Sequence, residues 1–130
     1  MKPEWFAPHL GETISKYGMS MCAMGMAEEF KEQGVGCNTL WPQTAVITAI
    51  IDRMFGSDGY QYSRTTDIMS DAAYIIFCSD SRSCTGNFFI DEDVVVKTGC
   101  KDLSIYAFDP KNANNLIDDF LVEPRYKGKL

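Results

Sequence analysis

The sequence has little of the chemistry that metal sites and disulfide frameworks require. His9 is its single histidine, and its five cysteines include no Cys-x-x-Cys pair. Zinc sites need about four cysteine or histidine ligands at close spacing, so we predict no metal site. An odd number of cysteines without paired spacing indicates reduced thiols, as in proteins of intracellular compartments.

Basic residues are also in the minority. Lysine and arginine total 12 against 18 aspartates and glutamates, which gives a formal net charge of −6. The lysines near the C-terminal end alternate with aspartates and form no patch. Binding to a nucleic-acid backbone needs a basic patch, because it depends on displacing counterions from the phosphates. We therefore expect no nucleic-acid partner.

Targeting and membrane signals are likewise missing. The first residues, Met-Lys-Pro-Glu-Trp-Phe, do not resemble a secretory leader or a transit peptide, and the ending Lys-Gly-Lys-Leu differs from the peroxisomal Ser-Lys-Leu address. The longest apolar run is shorter than the ~20 residues that a membrane-spanning helix needs. We expect no membrane span, and at 130 residues the chain forms at most one domain.

Charge is absent over residues 17–27, the stretch around which the rest of the chain is organised. Methionine and alanine favour a helix there, while Gly18 and Gly25 cost about 1 kcal/mol each, so we predict a helix over 13–31 with Thr13 as a cap. Because this helix is apolar nearly all round, we expect burial on more than one side. One face would meet its own domain, and another a second copy in a homodimer or a partner half. The alternative is that the methionines pack in the chain's own hydrophobic core, where their flexible side chains fill irregular gaps.

The remaining pattern is that of an α/β protein. Apolar runs bounded by glycine, proline or acidic residues predict strands, and apolar residues at helical spacing predict helices. A strand, a helical crossover and a second strand form a parallel pair, the terminal unit of a doubly wound sheet. Two strands alone do not form a stable sheet, so we predict an incomplete part of a larger one. The expected elements are a strand over 35–41, helices over 44–55 and 67–78, a strand over 87–90 that Asp91-Glu92-Asp93 ends, and an edge strand over 103–108.

Several short stretches match a known pattern in the right order. They are Pro3-Glu4-Trp5-Phe6, Lys16-Tyr17-Gly18-Met19-Ser20-Met21, Gly25-Met26-Ala27-Glu28-Glu29-Phe30, Leu40-Trp41-Pro42-Gln43-Thr44-Ala45, Asp71-Ala72-Ala73-Tyr74, Phe77, Thr85-Gly86-Asn87-Phe88 and Ile90-Asp91-Glu92. With them the chain resembles the C-terminal half of the short-chain dehydrogenase/reductase family, and within it the hydroxysteroid dehydrogenase-like proteins. The resemblance implies part of a Rossmann-like doubly wound parallel sheet, with a family domain over 1–110 and a tail over 111–130.

The resemblance also implies catalytic positions. The family moves a hydride between NAD(P) and a carbonyl or alcohol, using Tyr-x-x-x-Lys at the start of the apolar helix. Lys16 matches the lysine, but Glu12 stands where the tyrosine is expected. A glutamate one turn before a lysine favours an ion pair, which keeps the carboxylate charged instead of making it a proton donor. Tyr17 does not replace the tyrosine, because a shift of one residue turns it ~100° around the helix.

Only part of a cofactor site is implied. The family's glycine-rich phosphate loop has no counterpart, since Gly34-Val35-Gly36 follows a helix and precedes a strand, the reverse of what a dinucleotide loop needs. The family's Pro-Gly and following threonine, which touch the nicotinamide, correspond to Pro42-Gln43 and to Thr44 or Thr48. For Thr44 a plain helix cap is the alternative. We expect NAD(P) to be the family's cofactor and this chain not to bind it alone.

Three functions are open at this point. The chain is a detached oxidoreductase part without activity of its own, an enzyme half that a partner chain completes, or a non-enzymatic dimerisation module that uses the 13–31 helix. The family suggests a peroxisomal or mitochondrial location, although no targeting signal is present, and neither the substrate nor the choice between NAD and NADP can be read from the residues.

Overall fold

The structure, a computed structural model, describes residues 2–126 and 128. Short 3₁₀ turns connect the helices and strands, at Pro3–Trp5, Ser57–Tyr62, Leu103–Tyr106 and Pro110–Asn112. The regular elements are α1 (Leu10–Glu29), β1 (Thr39–Trp41), α2 (Ala49–Phe55), α3 (Asp67–Phe77), β2 (Phe88–Ile90) and α4 (Asp91–Lys97).

Strands β1 and β2 form the parallel pair that the order of elements predicts. Thr39 pairs with Phe88, and Trp41 pairs with Ile90. In the described residues this sheet has two strands. The fold is therefore α/β, and it corresponds to part of a Rossmann-like doubly wound sheet.

The core lies between α3 and α4. Ile68 and Ala72 of α3 are fully buried against Val94 and Val95 of α4, and the Tyr106 ring closes the cluster. The helix predicted over 67–78 is thus confirmed.

Two predictions for the chain after β2 are wrong. Helix α4 was not expected, because three consecutive acidic residues end the apolar run of β2. In the structure these residues form the first turn of α4, where negative charge suits the helix dipole. In the stretch 103–108, Leu103–Tyr106 forms a 3₁₀ turn instead of an edge strand, and Tyr106 and Ala107 are its buried residues.

Helix α1 begins three residues earlier than predicted and ends at Glu29. Thr13 is therefore no cap. It is fully buried, with its hydroxyl 2.6 Å from the carbonyl oxygen of Trp5 and 3.0 Å from that of His9, which ties the N-terminal turn to the helix.

Among residues 2–126 and 128, burial of α1 on more than one side is not found. The helix buries one face only, made of Thr13, Ser20, Ala23 and Ala27. The alternative in which its methionines fill the hydrophobic core is wrong. Four of them are 40 to 67% exposed: Met19, Met21, Met24 and Met26.

The two elements after α1 are shorter than predicted. Strand β1 begins at Thr39 instead of residue 35, because the Cys37 amide binds the Thr85 hydroxyl at 3.0 Å and not a neighbouring strand. Helix α2 begins at Ala49 instead of residue 44, because the Ala45 amide binds the Ile117 carbonyl oxygen at 2.8 Å. Residues 44–48 are extended in consequence.

Candidate functional site

A cleft of about 810 Å³ opens where α1, the end of β1 and the start of α2 meet the C-terminal segment. Four of the five residues predicted for the site line it: Glu12 and Lys16 from α1, Pro42 after β1, and Thr48 before α2. Glu12 and Lys16 are about thirty residues from Pro42 and Thr48 in sequence, and the two pairs converge because α1 packs beside β1. Apolar side chains make up much of the remaining wall, including Met19, Leu40, Trp41, Ile50 and Phe120.

Glu12 and Lys16 form the ion pair that their spacing predicts. Lys16 Nζ lies 3.4 Å from Glu12 Oε1, and each side chain is about half exposed, at 45% and 50%. An exposed pair of this kind contributes a few tenths of a kcal/mol, so its effect on stability is small.

Tyr17 lies outside this cleft. Its ring stacks on Phe6 with centroids 5.9 Å apart and packs against Trp41 at 5.6 Å. Burial raises the pKa of the Tyr17 hydroxyl, which favours the protonated phenol. Its side chain instead lines a second cavity of about 400 Å³, with Trp5, Met21, Met24 and Phe88.

The two candidate threonines differ in position. Thr48 occupies the N-cap position of α2 without a side-chain cap bond and lines the cleft. Thr44 is fully buried and pairs through its backbone with Asp118, and it is absent from the lining of the cleft. The alternative in which Thr44 caps a helix is wrong, because α2 begins five residues later.

Gln43, the residue after Pro42, turns its side chain into the protein and is 1% exposed. Its carboxamide Nε2 donates to Asp118 Oδ1 at 2.8 Å and to the Glu123 carbonyl oxygen at 3.0 Å. Its backbone amide donates to Asp91 Oδ1 at 2.9 Å, and its carbonyl accepts from the Asp119 amide at 2.9 Å. Gln43 thus joins the C-terminal segment to the end of β1.

Asp119 is a cleft residue that sequence reasoning missed. It lines the same wall as Glu12 and Lys16. Burial raises the pKa of the Asp119 carboxyl group, although the Leu121 amide at 2.9 Å and the positive charge of Lys16 oppose the increase. No local signal marked it, because its place in the cleft depends on the distant residue Gln43.

A buried charge network supports the segment behind the cleft. The Arg64 guanidinium, 1% exposed, donates to Glu92 Oε1 and, at 2.6 Å, to the Tyr126 hydroxyl oxygen. The Tyr126 hydroxyl in turn donates to Glu92 Oε1 at 2.7 Å, and Arg125 Nη1 lies 3.3 Å from Glu92 Oε2. The start of α4 is therefore connected to residues 125 and 126.

Within residues 2–126 and 128, no helix combines the length and apolar character that crossing a membrane demands. The same residues contain no group of three or more His, Cys, Asp or Glu side chains arranged to hold a metal ion. The five cysteines are free thiols.

Comparison with known proteins gives a consistent result at the level of sequence. The chain is 47% identical over 123 residues to hydroxysteroid dehydrogenase-like protein 2 of Xenopus tropicalis and 43% identical over 123 residues to the Homo sapiens protein of that name. Each match covers 95% of this chain and 28% of the relative, so the chain spans little more than a quarter of the length of these relatives. No protein-family model matches the chain.

A solved structure gives the same result at the level of fold. The crystal structure of a short-chain dehydrogenase from Mycobacterium thermoresistibile superposes with a TM-score of 0.82 at 35% identity, covering 99% of this chain and 44% of that protein. The partial coverage agrees with the two-stranded sheet of the described residues. The chain belongs to the short-chain dehydrogenase/reductase family and corresponds to a C-terminal part of its domain.

Proposed function

We propose that the chain forms the nicotinamide side of an NAD(P)-dependent oxidoreductase site and transfers no hydride by itself. The observation that supports this best is that Glu12, Lys16, Pro42 and Thr48 line one cleft. Lys16 would hold the ribose next to the nicotinamide, and Pro42 and Thr48 would hold the nicotinamide ring. When bound, the nicotinamide supplies or accepts the hydride.

The four cleft residues fit only the nicotinamide end of NAD(P). The proposed activity therefore depends on residues outside this set. Nothing in the sequence has the strand, glycine loop and helix order that binds a pyrophosphate. Glu12 Oε1 lies 3.4 Å from Lys16 Nζ, and a carboxylate that is paired with a lysine accepts hydrogen bonds instead of donating a proton. A chain that supplies the phosphate loop and a proton donor completes the site, as a partner half or as a further part of the same protein.

The test is to coexpress this chain with the glycine-loop half of a hydroxysteroid dehydrogenase-like protein 2 relative. NADPH oxidation is followed by absorbance with a panel of aldehydes and ketones. We expect activity in the complex and none in either half alone, because neither half holds both ends of the dinucleotide. Glu12→Tyr should raise the rate, since a phenol can donate the proton that a carboxylate cannot.

Lys16→Ala in the same complex should abolish turnover. Lys31→Ala is the matched control, because Lys31 pairs with Glu28 at 3.6 Å on an exposed turn away from the cleft. Equal activity of the Lys16→Ala and Lys31→Ala complexes would refute the proposed role of Lys16. No gain from Glu12→Tyr would refute the catalytic reading of position 12.

The exposed methionine face of α1 favours a second function, self-association or docking of a partner half. Met21 lies one turn from Gly18 and from Gly25 on the surface of α1 and is 67% exposed, and Met24 beside it is 54% exposed. Contiguous apolar surface of this kind is typical of an interaction site. Gly18 and Gly25 have no neighbour within 4 Å of an added Cβ, which leaves room for another helix to approach closely. We propose that this face carries the contact, as the dimerisation module considered from the sequence.

Sedimentation velocity tests this second function directly. The chain should sediment as a dimer, and Met21→Glu should convert it to a monomer because a charge would lie in the contact. Met54→Glu, on the exposed side of α2, is the control and should leave the dimer intact. A monodisperse monomer for the unmodified chain would contradict the proposal. The organelle in which the protein works is proposed only from the resemblance, as a peroxisome or mitochondrion.

A further inference from the structure

The C-terminal segment over residues 118–123, called here the latch segment, contacts the cleft in a way that the family motif does not account for. Asp119, Phe120 and Leu121 line the cleft beside α1. The segment has no regular secondary structure, so its position depends on the contacts that hold its ends.

Gln43 makes the contacts at both ends of the latch segment. Its buried carboxamide reaches Asp118 Oδ1 at 2.8 Å at one end and the Glu123 carbonyl oxygen at 3.0 Å at the other. Between them the Asp119 amide donates to the Gln43 carbonyl at 2.9 Å. Asp118 also accepts from the amides of Arg125 at 3.0 Å and Tyr126 at 2.8 Å, which closes the turn around the carboxylate.

We propose that Gln43 is a positioning residue, and that by holding the latch segment it makes Asp119 a third ionisable residue of the cleft, coupled to Glu12 and Lys16. This inference rests on the proposed function, because it adds a residue to the same site. A glycine at position 43, as in the family's Pro-Gly, has no side chain with which to make the two carboxamide bonds.

The arrangement gives Asp119 a defined electrostatic neighbourhood. Burial raises the pKa of the Asp119 carboxyl group most, Glu12 raises it further, and Lys16 lowers it. The Leu121 amide stabilises the carboxylate from within the segment. The charge at this wall of the cleft therefore depends on whether the latch segment is in place.

The test is a pH titration of the Asp119 carboxyl carbon by NMR in the isotopically labelled chain. Because it needs no cofactor and no partner, its failure is distinguishable from a failure of hydride transfer in the completed complex. In the unmodified chain the pKa should lie above the ordinary aspartate value. Lys16→Met should raise it further and Glu12→Gln should lower it, and both exposed substitutions leave the fold intact.

Gln43→Met tests the latch itself, since methionine keeps the length of the side chain and loses the two hydrogen bonds. We expect amide exchange at Asp119 to accelerate at least about tenfold and the carboxyl pKa to fall toward its ordinary value as water reaches it. Gln61→Met is the control on an exposed glutamine and should change neither. The proposal is overturned if Lys16→Met and Glu12→Gln leave the Asp119 titration unchanged, or if Gln43→Met behaves like Gln61→Met.

Discussion

Glu92→Gln, which replaces one carboxylate oxygen by an amide NH₂ group, is expected to lower the stability of the fold strongly. The Glu92 carboxylate, 5% exposed at the side chain, is the charge partner of the Arg64 guanidinium, whose side chain is 1% exposed. Glu92→Gln keeps the shape and one acceptor oxygen but removes the carboxylate that pairs with the Arg64 guanidinium. Removing one partner of a buried ion pair costs about 3–5 kcal/mol, and the retained oxygen puts the expected cost near the lower end, about 3 kcal/mol.

Thermal unfolding of the purified chain, followed by circular dichroism, measures this cost. At an unfolding entropy of about 2.1 cal/mol/K per residue, a loss of 3 kcal/mol corresponds to a decrease in Tm of about 10 °C. Asp93→Asn is the matched control, because Asp93 pairs with Arg125 at 2.8 Å where both side chains are 39 to 47% exposed. Such a pair contributes less than about 1 kcal/mol, so the control should lose at most about 4 °C.

A double variant distinguishes the stability lost by leaving a buried charge unpaired from the stability lost by altered packing. Arg64→Met with Glu92→Met removes both charges of the buried pair, so neither member is left in the interior without the other. We expect the double variant to unfold at a higher temperature than Glu92→Gln. The reasoning is refuted if Glu92→Gln is no less stable than Asp93→Asn, or if removing both charges is worse than removing one.

Further predictions concern Asp91 and two glycines. Burial raises the pKa of the fully buried Asp91 carboxyl group in the folded chain, so its stabilising contribution is present at low pH and is lost as pH rises through the folded pKa. The urea midpoint of the unmodified chain should therefore rise relative to that of Asp91→Asn as pH falls from about 7 to about 4. A constant difference between the two midpoints would contradict the raised pKa of Asp91. An added Cβ at Gly36 would lie 2.8 Å from the Cys84 carbonyl oxygen, so Gly36→Ala should cost about 1–3 kcal/mol in urea unfolding. An added Cβ at Gly25 of α1 meets no atom within 4 Å in the described chain, so Gly25→Ala should gain up to about 1 kcal/mol in the dissociated monomer, and equal effects of the two substitutions would count against the loop packing at Gly36.

Local patterns were sufficient for the elements whose periodicity is strong. The apolar spacing of Ile68 and Ala72 defined α3, and the bounded runs that end in Trp41 and Ile90 defined the parallel pair. The Glu12–Lys16 pair followed from their spacing on a helix. In each case, residues within a few positions of one another determine the structure.

The features that were missed have non-local causes. Helix α4 carried a local sign, the acidic first turn, but Asp91-Glu92-Asp93 also suits the end of a strand. The late start of α2 depends on pairing of Ala45 with Ile117, across most of the chain. The latch segment depends on Gln43 reaching Asp118, which lies 75 residues away, so no window of sequence contains both partners.

Helix α1 is more exposed in the structure than its apolar sequence predicts. Its apolar composition predicts burial on more than one side, while the described chain covers one side only. The other sides are free to contact a second copy or a partner half, as the second proposed function requires.

Titration of the purified chain with NADPH, followed by nicotinamide fluorescence, tests the central claim most directly. If the chain holds only the nicotinamide side of the site, fluorescence should change without saturation up to about 1 mM, and Lys16→Ala should behave like the unmodified chain. Saturable binding with a Kd below about 0.1 mM, weakened by Lys16→Ala, would contradict it, because the chain would then hold the whole dinucleotide without the glycine loop.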